Sequence, residues 1–149
     1  MKKALLAVLL AAITLAFTGC GQIEDTNGEN NFALQTITDE NIVEGMNVVT
    51  FASVRTSSGN KESLSVGKLS GVLDLYNGNA SGETVRFAVN CDVTAGNARL
   101  VVVYDGKIVH EFDLHEQGQS FVLENAKGDF ALKLAGESAA FEVVFEVDE

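Results

Sequence analysis

Tryptophan and proline are absent from this 149-residue chain, and it holds two cysteines, two histidines and two tyrosines. With no tryptophan and only Tyr76 and Tyr104, it lacks the aromatic platforms that many glycan-binding surfaces use. Basic residues are scarce: ten Lys and Arg face 21 Asp and Glu, for a net charge of −11. Such a field repels polyanions, which argues against nucleic acid and anionic lipid surfaces as partners. Catalytic signatures are missing as well. There is no Gly-x-Ser-x-Gly, no phosphate loop, no dinucleotide fingerprint and no zinc-ligand spacing. Enzyme chemistry has no residue constellation to rest on, so the chain reads as non-catalytic and no cofactor or metal is expected.

What is present begins with a leader. Met1-Lys2-Lys3 precedes an apolar run from Ala4 to Phe17, and Thr18-Gly19-Cys20 closes it. A short basic region, roughly 7–15 apolar residues and a small-residue end make a secretory signal. The run is shorter than the roughly 20 residues that a membrane-spanning helix needs. The small residues before Cys20 resemble the lipobox of bacterial lipoproteins, with Phe17 where that pattern prefers Leu. The resemblance implies that residues 1–19 are a signal peptide and that the Cys20 thiol receives a diacylglycerol. The protein would then be anchored by lipid at the extracytoplasmic face of a bacterial membrane. A thiolate is the strongest side-chain nucleophile, hence a natural lipid acceptor. Two or more acyl chains anchor stably where one does not. Gly21 stands where some inner-membrane lipoproteins carry Asp.

Loss of the leader leaves eight basic against 21 acidic side chains, a net charge of −13. With Cys20 lipidated, Cys91 is the remaining thiol, so no disulfide within the chain can form and the fold must stand on its core. Residues 20–31 continue as the anchored cysteine and a polar stretch, GQIEDTNGENN, which reads as a flexible tether. Residues 32–149 are the length of one domain.

Within that domain the dominant period is two. Val85, Phe87, Val89, Cys91 and Val93 share one face, and Arg86, Ala88, Asn90, Asp92 and Thr94 the other. Leu69, Gly71, Leu73 and Leu75 share a phase before YNGNASGE, residues 76–83, breaks it with turn residues. Val48–Arg55 favours a strand through its β-branched residues. Thr38-Asp39 either caps a short helical turn or lies in a loop.

Residues 98–114 read as a hairpin with Asp105-Gly106 at its tip. A two-residue loop pairs Val103 with Ile108. A three-residue loop with Gly106 left-handed pairs Val102 with Ile108 and Leu100 with His110, and sets Arg99 across from Glu111. A one-residue slip exchanges faces. The second register keeps Leu100, Val102, Ile108 and Phe112 together and is the one expected. A further hairpin is expected through Lys127-Gly128, with Phe121 and Leu123 on one arm and Phe130, Leu132 and Leu134 on the other. After a Gly136–Ser138 turn, Phe141, Val143, Phe145 and Val147 point inward. Seven or eight strands with short turns and no long helix predict an all-β fold, an antiparallel β-sandwich or jelly roll.

The stretch KGDFALKLAGESAAFEVVFEV, residues 127–147, is similar to the closing strands of bacterial pre-peptidase C-terminal domains. It also resembles small Gram-positive lipoproteins of unassigned function. A glycine precedes an aromatic, then come an alternating strand, a glycine turn and a last strand. This likeness reaches over residues 69–147 and implies a small sandwich that binds or bridges.

Individual candidates for chemistry are few. In HEFDLH, His110 and His115 fall an odd step apart, so a strand would point them to opposite faces. His110 shares its phase with Ile108 and Phe112 and reads as a core-edge residue. Asn77, Asn79 and Ser81 occupy ligand places of a calcium-loop pattern, but the twelfth place is Ala88 where a bidentate Glu is needed. Cys91 lies on an inward face with Asp92 beside it, as an inert core thiol would. The reading is a membrane-anchored, non-catalytic lipoprotein that binds an envelope component or protein partner. The alternative is an exported carbohydrate- or peptide-binding accessory module, with Tyr76 and Tyr104 as its first candidate contacts.

Overall fold

The computed structural model describes residues 36–149. The expected signal peptide of residues 1–19, the expected lipid attachment at Cys20, the expected tether of residues 21–31 and the expected domain start at residue 32 lie outside those residues. Among these described residues one short helix, α1 (Asp39–Glu44), precedes six strands. These are β1 (Val49–Ser58), β2 (Lys61–Ser81), β3 (Val85–Tyr104), β4 (Lys107–Phe112), β5 (Gln119–Leu123) and β6 (Lys127–Asp148). All pairings are antiparallel, in the order β1-β2-β6-β3-β4, with β5 also on β3. The expected all-β antiparallel class is the one observed.

The three central strands are 20 to 22 residues long, several times the usual strand. A straight β6 would hold Phe130 and Val147 roughly 55 Å apart at about 3.3 Å per residue. Yet Phe87, which pairs with Val147, places its ring 5.8 Å from that of Phe130. The sheet therefore folds over on itself, and its two halves become the two layers of a sandwich. Each strand that crosses the fold line turns there through a left-handed residue: Ala52 (φ 53°), Gly71 (109°), Gly96 (71°) and Ser138 (54°). A Cβ at Gly71 would strike the carbonyl oxygen of Asn47, and one at Gly96 that of Ser138. The corner thus demands glycine at both places. Register breaks between Val93 and Asn97 of β3 mark the same line.

Between the layers sit Phe87, Leu100, Leu132, Leu134, Phe141 and Phe145, all nearly inaccessible. The first half of β3 alternates buried and exposed, because its outer face meets water. Its second half does not. Leu100–Val103 are all buried, as are Phe130–Ala135 of β6. The cause is a second apolar cluster on the outer face of that layer, where Ile37 and Ile42 cover Val72, Val101, Val103 and Ala135.

Three local expectations are corrected. Residues 76–81 are strand: the backbone of Asn77 and Asn79 pairs with Ala131 and Asp129, so turn-type side chains are carried on a ladder that β6 completes. No hairpin forms at Lys127-Gly128. Lys127 pairs with Ser81 of β2, while Phe121 pairs with Phe87 of β3. Gly136–Ser138 is a bend inside β6, not a turn between strands. Six strands replace seven or eight because β3 and β6 each read as two in the sequence.

The expected three-residue register of the β3–β4 hairpin is corrected: the tip takes the two-residue loop, and beyond it the pairing follows neither register weighed from sequence. Tyr104 pairs with Lys107 and Val103 with Ile108 around a two-residue tip, with Asp105 and Gly106 both at positive φ. This is the backbone of a type I′ turn. An irregularity after Val103 then pairs Val102 with His110 and Leu100 with Phe112. Ile108 consequently leaves that group and packs against the α1 cluster.

Candidate ligand groove

A six-residue helix has too few hydrogen bonds to persist alone, so α1 owes its position to its contacts. Thr38 caps it: its hydroxyl accepts from the Asn41 amide at 3.3 Å, and the Asn41 side chain accepts from the Thr38 amide at 3.2 Å. Ile42 is fully buried beneath it. Arg99 of β3 ties it down, donating to Asp39 at 2.7 Å while forking onto both oxygens of Glu111 at 2.9 and 2.7 Å. At the other end Lys133 donates to the Val43 carbonyl at 3.2 Å and lies 3.5 Å from Asp74.

The Arg99 fork has a pH consequence. Hydrogen bonds from Arg99 hold the Glu111 carboxyl below its ordinary range, against an opposing effect of burial. A lowered folded value means the stabilisation is present above the ordinary glutamate range and is lost as pH falls through the folded value. Glu111 is 44% exposed, so solvent screens much of the pair and its worth is under about 1 kcal/mol. Glu111→Gln should therefore lower stability by about 0.5 kcal/mol at neutral pH. The gap to the parent should close in acid. Urea melts across that range would show it, and a gap independent of pH would contradict it.

α1 covers only part of the outer sheet face. Beyond it the face turns polar, in the cross-strand pairs Asp74–Lys133, Asn77–Ala131 and Asn79–Asp129. Asn79 donates to Asp129 at 2.6 Å, and Asn77 to Asp74 at 3.4 Å. A groove of about 570 Å³ lies here, with Val43 as one wall, Val103 and Ala131 in its floor, and Asn77, Asn79 and Asp129 opposite. A second groove of about 440 Å³, lined by Glu40, Glu44, Lys107 and Ile108, shares Val43 and Gly106 with the first. Both are of ordinary small-ligand size. Side-chain amides offer donors and acceptors, carboxylates accept, and the Lys133 ammonium donates. Taken together the two grooves are lined by Asp39, Glu40, Glu44 and Asp129 against Lys107 and Lys133, an acidic balance that comes from the smaller groove and favours neutral or cationic ligands over anions.

The candidates from sequence fall elsewhere. Tyr76 donates its hydroxyl to Glu149 at 2.7 Å and stacks on Phe130, with ring centres 6.1 Å apart. The bond to Glu149, then burial, pushes its phenol upward. Tyr104 grips the backbone of Lys127, accepting from its amide at 2.9 Å and donating to its carbonyl at 3.1 Å. Both tyrosines are half-buried and pack one side against the inner core. His110 lies flat against Phe121 at 4.3 Å and edge-on to Phe112 at 4.6 Å, with burial lowering its pKa. It is the core-edge residue expected. β4 ends at Phe112, and His115 follows in an exposed loop, its amide donating to Asp113 at 2.9 Å. The two imidazoles are parted by a strand end as well as by face.

Cys91 is buried, and its thiol is pushed up to about 11 by burial and by Asp92. That is the reverse of an activated nucleophile. Cys20 lies outside the described residues. The Asn77–Asn79 pair was visible in the sequence only as an incomplete calcium loop. Its alternation with Gly78 and Ala80 was the signal that the strand continues.

No protein-family model matches the chain, and no curated protein does. Among solved structures, two mutants of family 29 carbohydrate-binding modules are similar. One has a TM-score of 0.40 at 11% identity, over 68% of this chain and 73% of that one. The other scores 0.36 at 11% identity, over 68% and 78%. A cupin domain from Bordetella pertussis scores 0.32 at 8% identity, over 68% and 98%. These likenesses concern general β architecture and assign no ligand.

Proposed function

We propose that the protein is a non-catalytic binding module, held by lipid at the extracytoplasmic face of a bacterial membrane, whose groove beside α1 takes a neutral, hydroxyl-rich ligand such as an envelope saccharide. The observation that carries the ligand class is the polar row of Asn77, Asn79, Asp129 and Lys133 on a rigid three-strand floor. Sugar hydroxyls both donate and accept, and a row mixing amides, carboxylates and an ammonium matches that demand. Fixed strands position such groups with little loss of entropy on binding. The non-catalytic reading is supported by His110 and Cys91, whose surroundings hold them in packing roles. Calorimetric titration of the chain from residue 20, with Cys20→Ser to prevent lipidation, would test the ligand class. Neutral oligosaccharides should bind, and uronate-bearing ones of the same length should bind at least tenfold more weakly. Preference for the anionic series would sink the reading.

The anchor rests on the leader and Cys20 alone. In a bacterial host, the full-length chain should sediment with membranes and the Cys20→Ser chain should not. Should the domain without its leader sediment with membranes unaided, the lipid is not what holds it.

A further inference from the structure

The two grooves beside α1 adjoin, and Val43 of the helix and Gly106 of the β3–β4 tip line both. At Gly106 the boundary carries no side chain, and a Cβ built there would meet nothing within 4 Å. Val43 is thus the one side chain the grooves share, and it stands on the α1 side of the boundary. A ligand lying along the first groove can run on past the hairpin tip into the second. At about 570 and 440 Å³, each groove has the size of a whole small-ligand site. A ligand that fills both is a chain of several units.

The two ends of this cleft differ in charge. One acid and one base line the first groove, Asp129 and Lys133, with Asp74 beside Lys133. At the second groove Arg99 is shared by Asp39 and Glu111, so that group keeps one negative charge in excess. The rest of α1, β4 and the hairpin tip add Glu40, Glu44 and Asp105 against Lys107. Glu40 and Glu44 both line the groove, exposed and one helical turn apart on the same face. Among the described residues neither carboxylate has a side-chain partner. Like charges so spaced oppose the helix that carries them, and a cation lying between them relieves that.

We infer that the two grooves form one cleft for a linear oligosaccharide, with neutral sugars at Asn77, Asn79 and Asp129 and a sugar bearing a free amine beside Glu40 and Glu44. The inference rests on the saccharide reading of the first groove and adds to it a length, a direction and a charge. The cleft is polar and near balance at one end and acidic at the other, so it reads which end of the chain carries the amine.

The test uses the chain from residue 20 with Cys20→Ser, titrated with saccharides of N-acetylglucosamine in mildly acid buffer, where the amine is protonated and the glutamates stay ionised. The probes are the disaccharide, the fully acetylated tetrasaccharide, and two tetrasaccharides with a free amine on one terminal sugar or the other. The acetylated tetrasaccharide should bind at least fivefold tighter than the disaccharide. One amine isomer, and not the other, should gain at least a further threefold, an advantage that shrinks with added salt. Amide shifts at Glu40, Glu44 and Lys107 should appear with the tetrasaccharides alone. Joint Glu40→Gln and Glu44→Gln should erase the difference between the isomers, and both side chains are exposed enough to change without unfolding the domain. Equal affinity for the two isomers would overturn the inference, as would a lysine tetrapeptide that binds as tightly as the favoured isomer. No gain from disaccharide to tetrasaccharide would overturn it too and leave the saccharide reading of the first groove standing. Failure of every saccharide to bind would overturn both.

Discussion

Gly96→Val is expected to be the most damaging single change outside the core, lowering stability by more than about 3 kcal/mol. Gly96 sits at φ 71° on the line where β3 passes from one layer to the other. A β-branched residue there carries a left-handed penalty of about 1–2 kcal/mol. Its Cβ would also drive into the carbonyl oxygen of Ser138, the residue that turns β6 at the same corner. Relief requires β3 and β6 to part at the bend, which uncouples the layers that bury Phe87 and Phe141. Domains of this size hold about 5–15 kcal/mol in all, so a loss of that order should lower the melting temperature by roughly 10–20 °C. Ser138→Gly makes the opposite test. It removes a left-handed serine at the cost of a more flexible unfolded chain, for a net gain of about 0.5 kcal/mol. Denaturant melts of both variants would decide. Parent-like stability in Gly96→Val would mean the corner is not built as described.

The second large effect belongs to the groove. Joint replacement of Asn79 and Asp129 by alanine should weaken saccharide binding by roughly 30- to 150-fold, from two lost hydrogen-bonding groups at about 1–1.5 kcal/mol each. Stability should move little, since both side chains are exposed and bond chiefly to each other. Removing both avoids stranding one partner. Loss of affinity without loss of stability separates a ligand-contacting pair from a structural one. Equal affinity in parent and variant would remove the row from the site.

Much of the sandwich was legible in the sequence. The alternation from Val85 to Val93 and from Phe141 to Val147 placed two strands on their correct faces, and Cys91 and His110 in their correct settings. Local chemistry hid the rest. Asn77-Gly78-Asn79 and Gly136-Glu137-Ser138 have the composition of turns, and only pairing with distant strands turns them into ladder and bend. The Lys127-Gly128 hairpin failed for the same reason: β5 and β6 are neighbours in sequence but pair first with different strands, β3 and β2. Burial of Val101 and Val103 on the outer face, under Ile37 and Ile42, was not read from the sequence, because the cover comes from a segment about 60 residues away. The groove was least legible of all. Its residues come from α1, β2, β3 and β6, and its polar row becomes a row only when Asn77 and Asn79 are set in register against Ala131 and Asp129.

The most direct measurement is an amide chemical-shift titration of the chain from residue 20, with Cys20→Ser, against neutral envelope oligosaccharides. Saturable shifts should concentrate at Asn77, Asn79, Asp129, Ala131 and Lys133, and should vanish in the Asn79→Ala/Asp129→Ala chain. Shifts centred on the 113–118 loop or on β1, or no saturable shift in the groove at millimolar saccharide, would contradict a groove that binds hydroxyl-rich ligands.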